Sequence, residues 1–328
     1  MTKSDNSYLP PYRITQTILN LVAEITECVG GMTAKSFPLN LRKVSKARTI
    51  HSSLAIENNT LSLEQVSKII DGKSVPALKR EIEEVKNASA CYEMISKLSP
   101  SDVRDLLKAH SVMMKNLVKD AGSFRTKGVG IFKGDKVVHM APPAAKVLGL
   151  VERLMNWLER TEIHPLIASS VFHYEFEFIH PFADGNGRLG RFWQSLILSK
   201  WQPMLAYLPV ESVIHDNQEE YYAALSQSDA SSDATVFVEF MLKAILKSVK
   251  SFVIILAPES EHSAKLKKLL SVLKETPMSA TEIMKKLKLK HRTNFQKNYL
   301  IPAIQADLVF PTMPDKPNSP SQKYYRKP

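Results

Sequence analysis

His180-Pro181-Phe182-Ala183-Asp184-Gly185-Asn186-Gly187-Arg188-Leu189-Gly190-Arg191 is the stretch whose reading decides the fold. The apolar segment before it, Ile167 to Ile179, predicts a buried helix, and Phe192 to Trp201 predicts a second one after it. Pro181 disfavours helical backbone at His180, so the first helix ends there. Asp184-Gly185 and Asn186-Gly187 permit left-handed backbone and predict a turn, with the second helix starting at Asn186 or Gly187. A glycine-rich turn feeding a helix N-terminus is an anion site. Backbone N–H groups converge there and the helix dipole adds positive potential.

The side chains complete a reaction centre. Arg188 and Arg191 are three apart and share a helix face, and two guanidinium forks suit a polyphosphate better than a single anion. Asp184, just before the turn, is placed to hold a magnesium ion that also binds the phosphates. His180 stands where an imidazole accepts a proton from an attacking hydroxyl. Any one of these residues alone is better read as part of a polar loop and a capped helix. Ten such positions, each at roughly 5% usage, do not fall together by chance.

The motif resembles that of the Fic family, His-Pro-Phe-x-Asp-Gly-Asn-Gly-Arg-x-Gly-Arg, at every fixed position. The resemblance implies a mainly α fold with a helical core, and transfer of AMP from Mg-ATP to a hydroxyl of a target protein. It makes His180 the general base and Asp184 the magnesium ligand. Gly185, Asn186 and Gly187 then cradle the phosphates, and Gly190 belongs to the same nucleotide site. Arg188 binds toward the β-phosphate, Arg191 binds the γ-phosphate, and Phe182 anchors the loop in the core. The family also includes enzymes with other nucleotidyl or phosphocholine donors and enzymes that remove AMP. A different class of function is a DNA-binding regulator with a vestigial Fic fold, against which the intact motif argues.

Upstream, a helix from about Leu41 to Glu57 stops at Asn58-Asn59, since Asn tolerates the left-handed C-terminal position. Glu57 at its end faces the negative pole of the helix dipole, a cost of about 0.3–1 kcal/mol. Ser53-Leu54-Ala55-Ile56-Glu57-Asn58 resembles the inhibitory motif of the family, Ser/Thr-x-x-x-Glu-Gly/Asn. That resemblance implies that Glu57 pairs with Arg191 and withholds it from the γ-phosphate, with Ser53, one turn earlier, steadying Glu57.

The remaining chain supplies scaffold. Ile14, Ile18, Leu21, Val22 and Ile25 recur at helical spacing up to Gly30-Gly31. Ser62 and Gln65 form a capping box, and Ser99-Pro100-Ser101-Asp102 makes a turn and cap between later helices. Val129, Ile131, Val137 and Val138 flank a turn at Gly134-Asp135 and predict a hairpin. The resemblance makes this hairpin a flap, with Gly122 and Arg125 beside it, whose edge pairs with the backbone of the target. His173 lacks a third ligand at metal spacing and reads as structural. Tyr221 and Tyr222 resemble family positions near the ribose and adenine, and core packing accounts for them equally well.

At 328 residues and 44% apolar content the chain supports two or three compact units. They are expected as an N-terminal helical region over 1–100, a catalytic core over 101–257 and a module over 258–328. The net charge is +11, and from Glu259 onward 14 Lys/Arg stand against 6 Asp/Glu, so the C-terminal stretch carries most of the surplus. Helix, short helix capped by Ser279 and Glu282, turn, helix from about His291 to Asp307 and a strand-rich end predict a winged helix-turn-helix. His291, Arg292, Asn294, Gln296 and Lys297 would face DNA, a candidate partner. Cys28 and Cys91 lie outside metal or redox spacing and suit a reducing cytoplasm. No signal sequence or membrane span is expected. The expected protein partners are a target, the chain itself as substrate, and a second copy in a homodimer.

Overall fold

The computed structural model describes residues 8–30, 39–133, 136–256, 261–305, 308–316 and 319–326. They gather into two compact units, one from residues 8–27 and 39–246, the other from residues 28–30 and 247–326.

The first unit is helical. In order come α1 (Gln16–Gly30), α2 (Leu39–Ile56), α3 (Leu63–Ile70), α4 (Lys79–Glu93) and α5 (Val103–Met113). A hairpin follows, β1 (Gly130–Lys133) and β2 (Lys136–Met140), then α6 (Val147–Arg160), α7 (Pro165–Ile179), α8 (Asn186–Trp201), α9 (Val210–Asp216), α10 (Gln218–Ser231) and α11 (Thr235–Leu256), the ends of α1 and α11 from residues 28 and 247 belonging to the second unit.

At the centre lies the α7–α8 pair. Pro165 occupies the first turn of α7, where its missing N–H costs nothing, and His164 caps the helix by accepting from the Leu166 N–H at 3.2 Å. Both helices are buried almost all round, the pattern of a core helix rather than a surface one. Phe172, Phe176, Phe182, Phe192, Trp193 and Phe237 are fully buried there, each contributing about 1.5–3 kcal/mol of burial. Trp193 donates its indole N–H to the Pro100 carbonyl at 2.9 Å.

The α2–α4 group packs on its own cluster, Ile50, Leu54, Leu61, Val66, Ile69 and Val85. The Ser62–Gln65 capping box is formed, and Asp102 caps α5. Asn58 ends α2 in the left-handed region at φ 65°. The hairpin pairs antiparallel with a bulge between Ile131 and Phe132. Its expected turn at Gly134-Asp135, and the side chains of Ile131, Val137 and Val138, lie outside the described residues.

In the second unit the first helix to begin is α12 (Glu261–Val272). After it come β3 (Met278–Ser279), α13 (Ala280–Lys286), α14 (Arg292–Phe295), α15 (Ile301–Gln305), β4 (Phe310–Pro311) and β5 (Lys323–Tyr325). The strands form an antiparallel sheet ordered β3-β5-β4 around Leu269, Ile283, Phe295, Ala303 and Val309. The single helix expected over residues 291–307 is instead interrupted by a π-helical turn, Gln296–Leu300. Pro302 explains the break: it has no N–H for Asn298 and its ring collides with that carbonyl. Among the described residues no helix is long and apolar enough to cross a membrane.

Between α7 and α8 the backbone is tightly set. Gly185 has φ 86°, and a Cβ there would stand 2.5 Å from the Met114 Sδ. Gly185→Ala should therefore lose about 1–2 kcal/mol from the backbone alone, with displacement of Met114 in addition. Chemical denaturation of the two proteins side by side measures it.

Candidate active site

The twelve-residue motif is an elbow, and its geometry is fixed from behind. His180 ends α7 in the left-handed region at φ 48°. The carbonyls it turns outward converge on Arg125: Nε donates to His180 O at 2.7 Å and Nη2 to Ile179 O at 3.3 Å. The same guanidinium reaches Lys127 O and Pro142 O at the foot of the hairpin. A cation at a helix C-terminus complements the dipole, and here it also ties the hairpin to the elbow. Burial pulls the pKa of Arg125 down from its ordinary value.

Asn186 closes the loop on itself, accepting from Phe182 N and donating to Phe182 O, both at 2.9 Å. Its side chain is thus committed to the loop's shape. His110 stacks on Phe182 with centroids 3.7 Å apart. The Gly122 N–H donates to His110 Nδ1 at 2.8 Å, which leaves Nε2 as the protonated nitrogen that donates to Asp184 O at 3.0 Å. Burial lowers the His110 pKa and keeps the ring neutral.

Two arginines emerge from the first turns of α8. Arg191 is buried, and its Nη2 donates to Glu57 Oε1 at 2.7 Å and to Ser53 O at 3.0 Å, while Nε donates to Ser53 Oγ at 3.1 Å. Ser53 therefore steadies Arg191, where the sequence suggested Glu57; the arginine fork reaches back along α2 and takes both. Burial lowers the Arg191 pKa, and the Glu57 carboxylate, with Tyr221 and Glu177 behind it, more than offsets this and leaves it raised. Glu57 Oε1 also lies 2.6 Å from where a Cβ on Gly187 would sit, so the carboxylate rests against the glycine turn itself.

Arg188, 5% exposed, donates from Nη2 to Asp184 Oδ1 at 2.8 Å, and its Nη1 lies 3.5 Å from Glu84 Oε1. Its Nε is buried with no hydrogen-bond partner among the described residues. Asp184 is 40% exposed at its side chain and faces Arg80 from Oδ2 at 3.6 Å. An orphaned guanidinium N–H suits a phosphate oxygen, and a half-exposed carboxylate beside it suits magnesium, which takes one or two carboxylates and completes its shell with phosphates and water. Among the described residues no cluster of three or more His, Cys, Asp or Glu is built to hold a metal by itself.

Other expected site residues fall elsewhere. A Cβ on Gly190 would meet Glu177 Oε1 at 2.7 Å and His173 at 3.3 Å, so this glycine serves the close approach of α7 and α8. Tyr221 is 2% exposed, packed on Phe237, with its hydroxyl 3.2 Å from His173 Nε2. Tyr222, beside it, is half-exposed. Val129 is half-buried ahead of β1. His173 is wholly buried and bonded also to Gln194, and burial holds its ring neutral. Glu84, Arg80 and His110 were not anticipated. Each meets the motif across dozens of residues of chain, and nothing in its local sequence marks the contact.

Comparison with known proteins agrees with this geometry. Residues 100–198 match the Fic/DOC family, and residues 264–326 match the C-terminal domain described as "Filamentation induced by cAMP protein Fic-like". A solved Fic family protein from Desulfovibrio desulfuricans is 50% identical, with 98% of each chain covered and a TM-score of 0.74. A structure of Fic-1 from Caenorhabditis elegans, 23% identical over 74% of this chain and 73% of its own, shares the fold with a TM-score of 0.62. Among curated relatives, Protein adenylyltransferase Fic of Nematostella vectensis is 26% identical over 73% of this chain and 56% of its own length. The Caenorhabditis briggsae protein adenylyltransferase fic-1 is 30% identical over 62% of this chain and 40% of its own. The chain spans about half the length of the curated relatives it matches.

The buried histidine yields a pH prediction. Burial lowers the His173 pKa from its usual 6.5 to about 3, so the unfolded chain binds this proton more readily than the folded one. The stability it supports is complete above pH 6.5 and declines as pH falls toward 3, at about 1.4 kcal/mol per pH unit. Glu175 and Glu211, both pushed up to about 7 by burial, act in the opposite sense between their ordinary range and 7. Comparing wild type with His173→Gln isolates the histidine. The variant should be less stable at pH 7 and lose less on going from pH 6.5 to 4 in urea unfolding.

Proposed function

This chain belongs to the Fic family, and on that footing we propose that it is a protein adenylyltransferase that moves AMP from Mg-ATP to a hydroxyl side chain of a target protein and is restrained by its own Glu57. The observation that carries the reading is the seat of the Glu57 carboxylate, on Arg191 and against Gly187. An anion already lies where the motif builds a place for one.

In the working enzyme Arg191 and Arg188 hold the outer phosphates, and the orphaned Arg188 Nε gains its acceptor. Asp184 would hold the magnesium ion, which when bound neutralises phosphate charge. His180 takes the proton of the target hydroxyl; the oxygen bonds to the α-phosphorus, and the bond to the leaving pyrophosphate breaks. Preformed positive charge supplies most of the acceleration. An edge of the β1–β2 hairpin receives the target as an added strand. The chain itself is a further acceptor, and a cytoplasmic setting suits ATP use. The second unit presents His291, Arg292, Asn294, Gln296 and Lys297 at its surface, a face suited to DNA phosphates. That second role predicts a gel shift that weakens as salt rises and with Arg292→Ala, and its absence at low salt removes DNA from the partners.

With Glu57 in place, Arg191 is withheld and the α-phosphorus is misaligned, and about 1 Å of misplacement costs on the order of a hundredfold. Glu57→Gly and Glu57→Gln should therefore raise AMP incorporation by about that factor over wild type at saturating Mg-ATP. Adding His180→Ala to Glu57→Gly should remove on the order of a hundred- to ten-thousand-fold of the rate while nucleotide affinity persists. Equal rates in wild type and both Glu57 variants would leave that carboxylate an ordinary helix end.

A further inference from the structure

The segment that carries Glu57 has a second attachment. Two residues after Glu57, Asn59 is 9% exposed, and its Nδ2 donates to Glu84 Oε2 on α4 at 2.8 Å. The other oxygen, Glu84 Oε1, lies 3.5 Å from Arg188 Nη1 and 3.5 Å from Arg80 Nε. Thr60 is buttoned to the same helix, donating from both N and Oγ1 to Glu81 Oε1 at 2.7 and 2.8 Å.

Helix α4 is itself anchored on its other side to the chain behind Gly185. Asn116 donates to Glu83 at 2.9 Å and Asn87 donates to Lys115 O at 2.7 Å. Glu84 thus projects from a braced helix onto one tip of a guanidinium whose other tip is on Asp184.

We propose that Glu84 is a positioning residue for the nucleotide: it keeps Arg188 aimed at the phosphates beyond the α-phosphate, with Asn59 setting its carboxylate. This role rests on the reading of Arg188 as a phosphate ligand. Asp184 cannot both hold Arg188 and serve a metal ion with the same oxygen. When Asp184 turns to magnesium, Glu84 is the carboxylate that remains on Arg188. A guanidinium fixed at its rear keeps its rotamer, and preorganised donors bind an anion without first losing side-chain freedom. Glu57 and Glu84 therefore do opposite things to neighbouring arginines. Glu57 occupies the face of Arg191 that a phosphate needs, whereas Glu84 holds Arg188 from the scaffold side.

The test uses the full chain carrying Glu57→Gly, with Glu84→Ala, Glu84→Gln or Asn59→Ala added, and calorimetric titration with Mg-ATP and with AMP. AMP lacks the β- and γ-phosphates, so it reports the rest of the pocket. Glu84→Ala should weaken Mg-ATP about tenfold and leave AMP unchanged; Glu84→Gln, which still offers an oxygen to Arg188, should fall between; Asn59→Ala should weaken Mg-ATP about threefold. Equal weakening of both nucleotides would mean that Glu84 merely supports the fold, and unchanged Mg-ATP affinity would remove the role altogether. Activation by Glu84→Ala with Glu57 intact would make it a second restraint, also overturning the proposal. Failure of the underlying nucleotide reading looks different: no variant, Glu57→Gly included, would bind Mg-ATP.

Discussion

Helix α7 ends inside the protein, and everything at the site depends on how that end is satisfied. The left-handed turn at His180 swings the last carbonyls away from the helix axis. Arg125 receives them, and the cost of burying a guanidinium is offset by four carbonyl oxygens. Because two of those oxygens belong to the base of the hairpin, the elbow and the hairpin are fixed by the same side chain. Asn186 and His110 then set the loop from inside, so the start of α8 points its N–H groups outward with little freedom left. A reaction centre that must hold a shape to within half an ångström is here built on helix ends locked by buried hydrogen bonds.

Around this rigid elbow the charges are nearly balanced. Arg191 faces Glu57, Arg188 faces Asp184 and Glu84, and Arg80 lies over the latter two. With every carboxylate in place, the elbow carries little surplus charge. The pairs differ in kind. Those on Arg188 come from its own helix turn and from the braced α4, whereas the one on Arg191 comes from the end of α2, just before a left-handed Asn58.

The sequence made the elbow legible because its chemistry is contiguous: a helix stop, two glycine turns and two arginines lie within twelve residues and obey local rules. Glu57 was legible only by resemblance, since a carboxylate at a helix end has no local mark of its partner. Ser53 was placed on the correct helix face but given the wrong partner, because spacing along one helix says nothing about a fork arriving from another. Tyr221 and Tyr222 show the limit for adjacent aromatics. One is sealed against His173 and the other is half in water, and helical periodicity weakly separates neighbours that straddle a boundary. Glu84 and His110 reach the motif over 104 and 74 residues of chain, contacts that only the fold creates. The π-helical turn before Pro302 was missed when one regular helix was read over residues 291–307, although it follows from a missing N–H.

The placement of Arg191 has a thermodynamic consequence for any released form of the molecule. Its charge lies in the interior, and Glu57 is the one carboxylate within bonding distance of it among the described residues. Withdrawing that carboxylate strands a cation away from solvent, a condition a protein relieves only by rearranging or by acquiring a replacement anion. Polyphosphate is such a replacement. With Glu57 in place the pair is complete, whereas with Glu57 withdrawn the charge of Arg191 is balanced again only by another anion. On the proposed adenylyltransferase reading, nucleotide would then stabilise the released form by mass action, as a component of its tertiary structure.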